Sequence, residues 1–195
     1  MTFIQTTSIE ASDSASIDAF GNWNISLASS QLDNKAIIDD LPLYISEFTN
    51  GSASSSRSGA EITMSTTASG AGIIRQTKQN GVYQSGKSPE YFSTVRGFET
   101  VTNGEKLFGY YSASYTVSPY TASKDGILLR STGTNIFAET YNTGTATSSV
   151  QRADWYDPLD GSGASGLTHD FDFNTISYMD FEWLGYGRVR YFLVT

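Results

Sequence analysis

The chain has 195 residues, enough for one well-buried domain with length left over for arms or long loops, and it carries a net charge of −8. That acidity argues against nucleic acid or an anionic membrane as the main partner, since both are polyanions that need basic surface. The absence of cysteine removes disulfides, thiolate catalysis and cysteine zinc sites.

The composition favours strands and turns. Eighteen glycines, 12 tyrosines and 11 phenylalanines stand among many Ser and Thr and few helix formers. No apolar run approaches the roughly 20 residues that cross a bilayer. Met1-Thr2-Phe3-Ile4-Gln5 lacks the basic start and apolar middle of a signal peptide, so the expectation is synthesis in a cytoplasm without Sec export.

Residues 1–56 read differently from the rest. Ser8 to Ser16 is acidic and small, and Ser52 to Ser58 is nearly pure Ser, Ala and Arg. Between them, Ile37-Ile38-Asp39-Asp40-Leu41-Pro42-Leu43-Tyr44-Ile45 is apolar enough to dock on something, with Pro42 discouraging helix before it. Two readings stand: a segment lying on its own domain, or an arm gripping a neighbouring subunit through Trp23, Leu41, Leu43, Tyr44 and Phe48.

Residues 57–195 read as one β-sandwich domain. Ala60 to Ser65 and Ala71 to Lys78 look like paired strands; 91–98, 106–114, 126–130 and 135–141 follow, each bounded by Gly, Asn, Ser or Thr. Short strands at this spacing predict an antiparallel sandwich, jelly-roll or concanavalin-like, behind an extended N-terminal arm. A long loop covers 153–166, and closing strands run from about Phe173 onward. Of these, Asp180 to Arg190 alternates most strictly. Met179, Phe181 and Trp183 should face the core and Tyr178, Asp180 and Glu182 the other side. A Gly185-Tyr186-Gly187 turn would place Glu182 opposite Arg190.

Several motifs invite chemistry. Gly81-Val82-Tyr83-Gln84-Ser85-Gly86-Lys87-Ser88 matches G-x-x-x-x-G-K-[ST], but the sequence around it alternates like antiparallel strands. A phosphate-binding loop needs a buried strand before it and a helix after it, so this match reads as a Gly-Lys turn and no cofactor is expected. Asp154, Asp157 and Asp160 with Gly161 could offer oxygens to a cation, though a spacing of three is not the alternate spacing of an EF-hand and all are ordinary turn residues. His169 is the only histidine and suits a surface or capping role. Tyr83, Trp155, Tyr156 and Tyr186 fall in loops, where aromatic faces can stack on sugar rings.

Tyr178-Met179-Asp180-Phe181-Glu182-Trp183-Leu184-Gly185 resembles the active-site strand of glycoside hydrolase family 16, a concanavalin-like sandwich whose pattern runs Glu-x-Asp-x-Glu. The resemblance puts the acid/base at Glu182 and the central helper at Asp180, but Tyr178 occupies the nucleophile position. Retaining hydrolysis needs two carboxylates about 5–5.5 Å apart, so the expectation is that the chain is not an enzyme.

A second resemblance covers most of the chain from Leu32 onward. Its segments are Ala36 to Phe48, Ile74-Arg75-Gln76-Thr77-Lys78, Tyr83 to Ser88, Gly126-Ile127-Leu128-Leu129, Asp154 to Gly163 and Asp180 to Arg190. In these the chain resembles a family of uncharacterised structural proteins from tailed phages and environmental viruses, whose members carry Pro where Ser85 stands and Asn where Tyr156 stands. It implies a virion component in a homo-oligomeric tail, fibre or capsid appendage, with other copies and other virion proteins as partners and no catalytic residues. Members continue the last strand past Val194, which makes this a short or truncated one. A carbohydrate-binding, lectin-like module that recognises a host-surface glycan is the alternative.

Overall fold

In a computed structural model, residues 30–34, 43–82, 88–117, 120–181 and 188–194 are described, with side chains excepted over 114–124. The described residues form strands, turns and a single 3-10 turn, and no helix among them is long and apolar enough to cross a membrane. The antiparallel all-β architecture read from the composition is the one observed.

The first four strands make an interrupted two-stranded ribbon. β1 (Ile45–Asn50) pairs with β4 (Gly72–Thr77), and β2 (Ser54–Ser58) pairs with β3 (Glu61–Ser65) around a Gly59-Ala60 tip. The expected pairing of 60–65 with 71–78 is therefore replaced by pairing of each with an earlier strand. β1 and β2 were hidden because their serines and isolated apolar residues carry little period-2 contrast. The expected arm–domain division at 56/57 falls inside β2.

The sandwich follows. β5 (Glu90–Val95) pairs with β10 (Thr175–Phe181), which pairs on its other side with β11 (Val189–Val194). β6 (Glu105–Val117), β7 (Tyr120–Thr132), β8 (Ile136–Asn142) and β9 (Thr145–Gln151) form a four-stranded meander. β6 and β7 run beyond the expected 106–114 and 126–130, and β9 was not foreseen. Its Thr-Ala-Thr-Ser-Ser-Val-Gln sequence is polar on both faces, and the exposure along the strand matches that.

The two sheets meet through their inner faces. Met179 and Phe181 of β10, with Tyr91 and Val95 of β5 and Val189, Tyr191 and Leu193 of β11, pack against Ile127 and Leu129 of β7, Ile136 and Ala138 of β8, and Phe108 and Tyr110 of β6. Phe98, just past β5, plugs one end: its ring meets Phe108 edge-on at 4.6 Å, and its amide donates to the Phe171 carbonyl at 2.8 Å. Glycine makes one strand contact feasible. A Cβ on Gly126 would lie 2.4 Å from the Tyr110 carbonyl oxygen, and one on Gly109 would lie 2.4 Å from the Ile127 oxygen, so β6 and β7 approach closely only because neither has a side chain.

The loop expected over 153–166 is held by Arg152. Its guanidinium donates to the carbonyls of Pro158 and Leu159, each at 2.6 Å, and of His169 at 3.3 Å, while stacking 4.8 Å over the Phe171 ring. Asp160 and Thr168 form an isolated bridge that draws the loop closed.

Candidate functional site

The outer face of the β5-β10-β11 sheet carries the densest functional chemistry among the described residues. Strand pairing lays three rows across it: Glu90-Asp180-Arg190, Phe92-Tyr178-Phe192, and Thr94-Ile176-Val194. The aromatic row is continuous, with ring centroids 4.6 Å apart from Phe92 to Tyr178 and 5.4 Å from Tyr178 to Phe192. Arg190 in turn lies 5.6 Å over the Phe192 ring.

This face differs from the expectation in two ways. Asp180, not Glu182, stands opposite Arg190, because the register is shifted by two residues, with Phe181 opposite Val189. A two-residue slip preserves the faces, so Met179 and Phe181 still look inward as expected. The polar side is not open, however. Tyr178 is 4 % exposed and Asp180 2 %, since β10 is the central strand and the flanking rings and guanidinium lie against them. Glu182 and Trp183 lie outside the described residues.

The Asp180 carboxylate is fully engaged. Arg190 donates to it through two nitrogens, one from Nε at 2.8 Å, and the Tyr178 hydroxyl donates at 3.2 Å. Burial pushes the Tyr178 phenol up, and the Asp180 and Glu90 carboxylates push it further. Glu90 ends the row in solvent. Burial of its carboxyl and the Asp180 charge raise its pKa, against the opposing pull of the Tyr178 hydroxyl and Arg190. Asp180 stands where the glycosidase strand holds its helper carboxylate, but here it serves to neutralise a buried arginine.

Apolar side chains continue across the rest of the face. Phe92 is 66 % exposed, Val194 56 % and Ile176 44 %. Val194 lines one shallow depression with Leu167 and Phe173, beside Thr168, Asp170 and Asn174, so the apolar surface runs from the sheet onto the loop before β10. Phe173 is itself 66 % exposed. Sequence reasoning did not single out Phe92, Ile176 or Val194. The signal was in the strand alternation: apolar residues stand at both odd and even positions of β10 and β11, as in a strand with two apolar faces.

The residues expected to stack on sugars separate. Trp155 is half-buried, edge-on to Phe171 at 6.5 Å, and its indole donates to the Val150 carbonyl at 3.1 Å, so it belongs to the packing under the loop. Tyr156 is 96 % exposed. Tyr83 and Tyr186 lie outside the described residues. Of the expected subunit-contact residues, Leu43 and Tyr44 are exposed and Phe48 half-buried, while Trp23 and Leu41 lie outside the described residues.

The acidic loop carboxylates act as turn acceptors. Asp157 accepts from the amides of Leu159 at 3.1 Å and Ser165 at 2.8 Å, and Asp160 accepts from the Ser162 amide at 2.9 Å. These bonds hold both carboxyls below the usual carboxylate range, the Ser165 and Ser162 contacts being the largest influences. Among the described residues no three acidic or histidine side chains converge as a metal site. His169 bonds the Thr175 hydroxyl at 2.8 Å and stands edge-on to Phe171. Comparison with family models, with curated proteins and with solved structures returned no match for this chain.

Proposed function

We propose that this protein is a structural subunit of a phage or viral particle, working without catalysis as part of a homo-oligomeric tail, fibre or capsid appendage. The observation that carries the reading is the outer face of the β5-β10-β11 sheet. There Phe92, Ile176 and Val194, continued by Phe173 and Leu167, are left exposed by the described residues. A contiguous apolar surface of this kind is costly for a monomer and ordinary for a subunit that buries it against neighbours. The firm anchoring of Asp180 and Arg190 beside it suits a contact surface that must hold its shape. The distributed resemblance to virion structural proteins supports the same role. Mass spectrometry of purified particles should find this chain in stoichiometric amounts. Its absence from them would remove the virion assignment.

One observation favours a second reading, a carbohydrate-binding module. Tyr156 stands almost entirely in solvent at a loop end, where a ring can stack on a sugar. A glycan array would show binding lost in Tyr156→Ala, and an array with no binder sets this reading aside.

A further inference from the structure

The β2-β3 tip of the ribbon meets the sandwich through an exposed ion pair, Glu61 with Arg96 at 3.9 Å. Nearly every residue of both strands is exposed, and among the described residues neither strand pairs with a third. A two-stranded hairpin alone in water is marginal. Each such strand presents a row of unpaired amides and carbonyls, which natural proteins blunt with lysine, proline or bulges. Ser54-Ser55-Ser56 has none of these. Its hydroxyls pair across the ribbon, as between Ser54 and Ser65 at 3.1 Å.

The sandwich has a matching edge. Among the described residues β9 ends the four-stranded sheet, is exposed along nearly its whole length, and reads Thr-Ala-Thr-Ser-Ser-Val-Gln with no charge, lysine or proline; its pairing with β8 is interrupted by a bulge at Thr147 and regular over 148–151. It too pairs through hydroxyls, Thr147 with Thr140 at 2.7 Å. Charge favours bringing the two together. Residues 45–77 hold Glu47 and Glu61 against Arg57 and Arg75, so the ribbon is neutral and the whole net charge of −8 lies outside it. Two acidic bodies approach each other at least electrostatic cost through a neutral arm and an uncharged edge.

We infer that β2 of one copy adds to the open edge of β9 in a second copy, extending its four-stranded sheet with the two ribbon strands. This rests on the proposed role as a homo-oligomeric subunit and adds a second contact to the apolar sheet face. If two copies exchange arms reciprocally the contact closes a pair, and if they do not, its repetition gives a ring or a filament. Main-chain hydrogen bonds supply the affinity, as in other strand additions.

The cysteine-free sequence makes the test direct. Ser54→Cys and Ser56→Cys chains, each mixed with Ala146→Cys and Ser148→Cys chains carrying a mass tag, should give disulfide-linked mixed dimers under mild oxidation. A variant lacking residues 52–70 joins Gly51 to Ala71. It leaves β1 and β4 closed by a two-residue turn whose first position already has φ +66°, as a Gly-first turn requires. That variant should form a smaller assembly than the parent, with its fold retained by circular dichroism. Assemblies of the parent's size in it, or cross-links forming only between two β2 cysteines, overturn the strand addition while leaving the structural role standing. An unmodified chain that is monomeric in light scattering fails the parent reading itself.

Discussion

Asp180 and Glu90 stand opposite one another on adjacent strands, yet they should respond oppositely to neutralisation. Asp180 is buried against Arg190, and removing one partner of such a pair leaves an uncompensated charge. Asp180→Asn should therefore cost about 3–5 kcal/mol in urea unfolding. Glu90 is solvent-facing, and the Asp180 charge works against its ionised form. Glu90→Gln should leave the urea midpoint unchanged or raise it above pH 6. If the two effects came out reversed, the assignment of Asp180 as the structural acid would fail. The sequence displayed Asp180 and Glu182 but could not rank them, because a register differing by two residues decides which acid meets Arg190.

Glu139 gives the pH dependence. Its carboxylate is 1 % exposed and accepts from Arg130 at 2.7 and 2.8 Å, Ser149 at 2.8 Å and Tyr141 at 2.9 Å. Burial alone would raise its pKa, but hydrogen bonds from Arg130, Ser149 and Tyr141 outweigh this and leave it lowered. A lowered folded-state value stabilises the fold above the unfolded value of about 4.3, and this is lost as pH falls through the folded value. Urea midpoints should decline below about pH 4.3, and the decline should be shallower in Glu139→Gln. An unchanged slope in that variant would assign the acid sensitivity elsewhere. Nothing in the sequence marks Glu139, which sits in a strand reading as half-polar. Its partners come from β7 and β9, and β9 was not foreseen.

At the scale of elements, the strands that alternate strongly were legible and the others were not. β10, β11 and β8 bury one apolar set against the opposite sheet, and that set is visible as a period of two. β2 and β9 bury almost nothing, so they lack the apolar contrast on which the pattern depends. Their existence is fixed by hairpin pairing with β3 and β8 instead. The β6-β7 contact depends on glycine in both strands. Gly126→Ala would force a Cβ to within 2.4 Å of a carbonyl oxygen, and the obstacle is backbone that cannot swing away. We expect a loss of several degrees in Tm by calorimetry, corresponding to roughly 1–3 kcal/mol for overpacking. A Gly126→Ala protein as stable as the parent would mean the two strands lie further apart than described.

The whole molecule has a sealed interior and an unfinished exterior. The inner faces of the two sheets are occupied by Met179, Phe181, Leu129 and their neighbours, while the outside retains Phe92, Ile176, Val194 and Phe173 together with a neutral ribbon. The all-β class followed from composition because Gly, Ser, Thr, Tyr and Phe leave helices little to form from. The outer apolar face did not follow, since an apolar residue in a strand does not say which sheet, or which molecule, will cover it. In the proposed role that covering is another copy.

Sedimentation velocity of the purified chain across a wide concentration range tests this most directly, run beside the Phe92→Asp, Ile176→Asp double variant. The account predicts a species of several copies for the parent. It predicts a shift toward monomer for the variant, with its core undisturbed because both side chains are already exposed. A parent that sediments as a single monomer at every concentration, or a variant that assembles as the parent does, would contradict it.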